Sequence, residues 1–135
     1  MSLFEENAAV LRNLEAYYGD LGSPRSIDFA HVFPDRASAD AFAREAEREG
    51  FTTVVKEVEQ EKDPWDVTVS KEMTPTCENI TDTEERLDAL ARSHQGRADG
   101  WGFFEAQAQL RVRDIIVFAV RVVRRWVRSR LSYSV

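Results

Sequence analysis

The chain has 135 residues, 43% of them hydrophobic and 31% charged, enough for one domain whose core needs no disulfide or metal staple. Its single cysteine, Cys77, excludes an intramolecular disulfide and any multi-cysteine metal site. The net charge of −6 is unevenly divided: residues 1–110 carry 23 acidic against 11 basic side chains, and residues 111–135 carry 7 arginines and one acid. So acidic a body repels nucleic acid, which argues against direct sequence-specific nucleic-acid binding and leaves the tail as the route to any anionic surface.

The opening MSLFEENAAV lacks a positive region followed by an apolar one, so no secretory signal is expected, and a cytoplasmic location fits the cysteine usage. The longest apolar run, Ile115 to Val120, falls well short of the ~18 residues that a membrane span needs.

Residues 3–18, LFEENAAVLRNLEAYY, place Leu3, Val10, Leu14 and Tyr17 or Tyr18 on one helical face, and GDLGSP stops the helix. This predicts a helical appendage over 1–24. SIDFAHVF then alternates Ile27, Phe29, His31 and Phe33 with Asp28, Ala30 and Val32, as a half-buried strand does. Pro34-Asp35 ends it, and Ser38 or Asp35 is placed to cap the helix ASADAFAREAEREG, whose stripe is Ala39, Phe42, Ala43 and Ala46 and which stops at Gly50. FTTVVKEVEQ reads as a second strand, EKDP as a turn, and WDVTVSKEM as a third strand through Trp65, Val67 and Val69.

TPTCEN reads as a loop before the helix ITDTEERLDALARSHQG, with Ile80, Leu87, Leu90 and Ala91 on one face and Thr81 or Thr83 near its start. Gly96 ends that helix, and DGWGFFE returns as a fourth strand. The order strand, helix, strand, strand, helix, strand predicts an α+β domain over 25–109 with a ferredoxin-like βαββαβ arrangement. Its four-stranded antiparallel sheet would carry both helices on one face, with extra helices at either end of the chain.

Nothing in the pattern points to catalysis. His31 and His94 are accompanied by no HxxxH, HxH or Cys–His cluster, and no GxSxG, P-loop or GxGxxG occurs, so neither a metal nor a cofactor is expected. The acids of Glu45, Glu47 and Glu49, and of Glu84 and Glu85, read as solvated helix faces. Cys77 reads as a plain small residue.

The DGWG turn is the more specific signal. Asp99 and Gly100 form a turn dipeptide in which Gly100 supplies a positive φ. Gly102 removes a side chain beside Trp101, which allows close backbone approach or a strand bulge. Trp101 is then either a structural plug or an exposed anchor for a partner.

From about Ser26 to Glu105 the chain resembles the regulator of ribonuclease E activity B family, through IDFAHVFP, FAREAEREGF, WDVTVSKEM, ERLDALARSHQG and above all ADGWGFFE. The resemblance implies a ferredoxin-like fold. It also implies a non-catalytic inhibitor that binds an endoribonuclease such as ribonuclease E through protein contact, with Trp65, Asp99, Gly100, Trp101 and Gly102 as candidate contacts. The family resembled carries an acidic C-terminal extension, whereas this chain ends in a basic, valine-rich segment over 110–135.

In that tail Arg121, Arg124, Arg125 and Arg128 fall at helical spacing, Val112, Ile116, Ala119, Val123 and Trp126 lie on another face, and a helix is favoured over a strand. Three roles stay open for it: covering the free face of the sheet, forming a dimer contact, or attaching to an anionic membrane with Trp126 at the boundary.

Overall fold

The computed structural model describes residues 2–103. They form a mixed α+β unit of three helices and a four-stranded antiparallel sheet. The tail residues Arg121, Arg124, Arg125, Trp126 and Arg128 lie outside the described residues.

Helix α1 spans Leu3–Tyr18 and starts from a capping box. Ser2 Oγ accepts from the Glu5 amide at 3.1 Å, and Glu5 Oε1 accepts from the Ser2 amide at 3.2 Å. Strand β1 spans Arg25–Phe33, α2 Arg36–Arg48, β2 Thr52–Glu57, β3 Trp65–Met73, α3 Cys77–Arg92 and β4 Arg97–Gly102. The sheet order is β2-β3-β1-β4, so β1 and β3 are central and β2 and β4 are edges.

The period-2 pattern of β1 decides which face is dry. Phe29 pairs with Val69, His31 with Val67 and Phe33 with Trp65, while Trp101 of β4 stands opposite Phe29. On this face Ile27, Phe29, His31, Phe33, Val67, Val69 and Trp101 are at most 1% exposed. The Phe42 ring of α2 packs 4.8 Å from His31 and 4.9 Å from Phe33, and α3 adds Ile80, Leu87 and Ala91 to the same core. On the opposite face stand Asp28, Ala30, Val32, Thr68 and Val54.

The caps refine the expected boundaries. Asp35 caps α2 by accepting from the Ser38 amide at 2.8 Å, so the two candidates serve one bond as acceptor and donor. Helix α3 begins earlier than Thr81 or Thr83: Thr76 is its cap, accepting from the Asn79 amide at 3.0 Å, and Cys77 and Asn79 are helical.

Helices α2 and α3 end in the same way, with the glycine in a different place. In α2 the Phe51 amide bonds to the Ala46 carbonyl at 3.2 Å and the Gly50 amide to the Glu47 carbonyl at 3.0 Å. In α3 the Gly96 amide bonds to the Ala91 carbonyl at 2.8 Å and the Gln95 amide to the Arg92 carbonyl at 3.1 Å. Both are Schellman closures. Their left-handed residue is Gly50 in α2, with φ 95°, but Gln95 in α3, with φ 70°. Gly96 therefore follows the helix-ending residue and does not supply its unusual φ.

A side chain held left-handed costs about 1–2 kcal/mol. Glycine would relieve that strain and give back about 0.4–1 kcal/mol through a more flexible unfolded chain. Gln95→Gly is thus expected to raise the unfolding free energy by about 0.5–1 kcal/mol. Urea titration checks it, and a destabilised variant would refute the account.

Candidate functional site

The GWG segment is built into the sheet by a break in register. Along β1 the partner of Ala30 is Gly100 and that of His31 is Ala98, so Asp99 is the extra residue of a bulge. Gly100 takes φ 123°, a conformation that side chains rarely adopt, and the chain then turns Trp101 toward the helices. The bulge that the sequence allowed beside Gly102 sits at Asp99 and Gly100 instead.

Trp101 is 0% exposed and Asp99 5% exposed, and both glycines are buried. The indole is the plug of the two readings left open for it, and it has a polar anchor. Trp101 Nε1 donates to Asn7 Oδ1 at 2.9 Å. The Asn7 Nδ2 group donates to Thr81 Oγ1 at 3.1 Å and to Glu84 Oε1 at 2.9 Å. One amide thus ties β4, α1 and α3 together, and these bonds fix its orientation.

The sequence reading missed Asn7 and took Glu84 for a solvated acid; Glu84 is buried at 2% exposure. The signal was there in the spacing. Asn7 continues the stripe of Leu3, Val10, Leu14 and Tyr18, and Glu84 stands between Ile80 and Leu87 on the buried side of α3. A polar residue on an apolar stripe finds a partner or is paid for in stability, and here the two find each other.

A second tie holds the start of β4. Asp88 of α3 accepts from the Ala98 amide at 2.8 Å with Oδ1 and from Arg92 Nε at 2.8 Å with Oδ2. Burial raises this carboxyl, but the hydrogen bonds of Arg92 and Ala98, with the charges of Arg92 and His31, outweigh it and hold the group below its ordinary value of 3.8. The folded pKa is thus depressed. Its contribution is present above the ordinary carboxylate range and is lost as pH falls through the folded value. Asp88→Asn is expected to flatten the loss of stability below about pH 4, read by urea unfolding at neutral and acid pH. An unchanged acid slope would contradict it.

Over residues 4–103 the sequence matches the family model of the regulator of ribonuclease activity B. The chain belongs to that family. No curated protein matches it. The RraB match begins at Phe4, so it takes in α1, which the resemblance from Ser26 onward did not include. Both sides of the Trp101–Asn7 contact therefore lie within the RraB match. The family's description implies regulation of ribonuclease activity.

The remaining candidates are scattered. Trp65 is half-buried at the start of β3, with the Arg36 guanidinium 5.6 Å from the centre of its ring. His31 is buried against Phe42, and His94 Nε2 stands 3.4 Å from Glu45. The Cys77 thiol donates to the Phe4 carbonyl at 3.2 Å. Glu49 is held by Arg86 through two contacts of 3.1 and 2.6 Å, and Glu47 accepts from the Thr53 hydroxyl at 2.7 Å. Among the described residues no group of His, Cys, Asp and Glu is placed to hold a metal ion. No described helix is long and apolar enough to cross a membrane.

Proposed function

We propose that the protein is a non-catalytic regulator that binds an RNA-cleaving endoribonuclease such as ribonuclease E and slows or redirects its cleavage. The family match over residues 4–103 carries this reading. The charge supports the mode of contact: an excess of 12 acids over residues 1–110 suits arginine-rich segments flanking an RNA-cleaving domain, so binding would follow charge rather than base sequence. The element order β1-α2-β2-β3-α3-β4 and the sheet order β2-β3-β1-β4 support reading this part of the chain as a ferredoxin-like interaction module, with α1 added in front.

Of the candidate contacts, Trp65 is the one with surface to offer, and it is the proposed partner-facing residue; the buried Asp99, Gly100, Trp101 and Gly102 shape the module from inside. A cytoplasmic location fits such a partner. The test uses the full chain with purified ribonuclease E and a model RNA. Salt-sensitive binding and slowed turnover are expected, both weakened several-fold as ionic strength rises. Absence of binding and of slowing at low salt would end the reading.

A further inference from the structure

We infer that residues 111–135 dock on the face of the sheet that the three helices leave free, so that the chain supplies its own basic cover for its acidic body. The free face has the shape for it. Ala30, Gly100 and Gly102 stand there in neighbouring positions of β1 and β4, where a packed segment can approach the backbone closely. Val32 extends this patch along β1, and Val54 of β2 is 62% exposed.

The length of chain fits. The described chain ends at Phe103, one residue beyond edge strand β4, so the tail starts beside this face. Strand β1 has nine residues and is about 30 Å long; a helix of about 20 residues has the same length. Segment 111–135 has that reach, and its Val112, Ile116, Ala119, Val123 and Trp126 form an apolar stripe that water alone would leave exposed. Charge complements shape. The segment carries a net +6, against −12 for residues 1–110, and the face that bears the small-residue patch carries the acids Asp28, Asp66 and Glu72 against the cations Lys56 and Arg97.

The test keeps the full chain. Cys77→Ser frees the background, Ser129→Cys carries a nitroxide, and amide NMR intensities are compared with those of the reduced label. Amides of Ala30, Val54 and Thr68 are expected to lose intensity while those of Asp40 and Arg44 on the outer turns of α2 keep theirs. Unaffected strands, or losses centred on the helices, would overturn the inference. So would losses of the same pattern in a mixture of isotope-labelled unmodified chain and unlabelled spin-labelled chain, because the cover would then come from a second copy. Full-length protein is also expected to stay in solution with phosphatidylserine vesicles. Pelleting with them would overturn the inference in favour of a lipid surface, since a tail held on the sheet has no apolar stripe left to insert.

Discussion

Trp101→Ala is expected to cost about 3–5 kcal/mol, the range for truncating a large buried aromatic. Domains of this kind have about 5–15 kcal/mol in all, so this loss brings the protein near its unfolding threshold. The indole is 0% exposed and fills the space among β4, α1 and α3, and with the indole gone the Asn7 amide still binds α1 to α3, so the two helices do not collapse freely into the space. Trp101→Phe keeps most of the volume but removes the N–H that Asn7 accepts together with part of the indole bicycle, for an expected cost of about 1–3 kcal/mol. In a double-mutant cycle with Asn7→Ala the two changes should be coupled by about 0.5–3 kcal/mol. Urea unfolding measures all four corners of the cycle. Additive losses, or an alanine variant within about 1 kcal/mol of the parent, would deny the tryptophan this role. Ribonuclease binding adds a separate readout: folded Trp101→Phe should bind as the parent does, because the ring shows no surface to a partner.

That division between inner motif and outer surface was half legible in the sequence. The strands and helices follow from period-2 and helical apolar spacing with few departures, because β1, β3 and the stripes of α2 and α3 are regular. The start of α3 was misplaced because Thr76 follows Pro75 in what reads as a loop, and the periodic apolar residues begin only at Ile80. Glycine is the common left-handed residue at a helix end, which points to Gly96, whereas Gln95 holds that position.

The site was harder to read for a physical reason. Asn7 and Trp101 are 94 positions apart, and Asn7 and Glu84 are 77 apart. No local pattern reports a bond across that distance. What a sequence does report is the anomaly at each end: a polar residue on an apolar stripe in α1, another in α3, and a tryptophan between glycines. Each has a bland meaning alone. Together they specify one buried network, because an asparagine amide offers one acceptor and two donors, and the indole, the threonine and the glutamate take them up. The family match then covers all four residues, Asn7, Thr81, Glu84 and Trp101.

Gly96→Ala is the second change expected to act strongly, and for a reason other than φ. A Cβ at this position would overlap the Phe33 ring at Cε2 and Cδ2 and would lie 2.6 Å from the Val32 carbonyl oxygen. Neither neighbour is free to yield. Phe33 is 0% exposed and packs against Phe42, and the Val32 carbonyl belongs to the central strand of the sheet. Overpacking a core costs typically about 1–3 kcal/mol, and a clash with strand backbone places this variant at about 3 kcal/mol or above. Gly19→Ala is the informative comparison. That glycine has nothing within 4 Å of an added Cβ but holds φ 87° with ψ −150°, a region nearly confined to glycine, so the backbone term stands alone there, at about 1–3 kcal/mol. Adding Phe33→Leu to Gly96→Ala should recover part of the loss by removing ring atoms, and not all of it, because the carbonyl contact stays. A Gly96→Ala protein within about 0.5 kcal/mol of the parent in urea would show that β1 moves aside at this point. The junction of α3 and β4, which carries Trp101 into the core, would then be looser than its packing indicates.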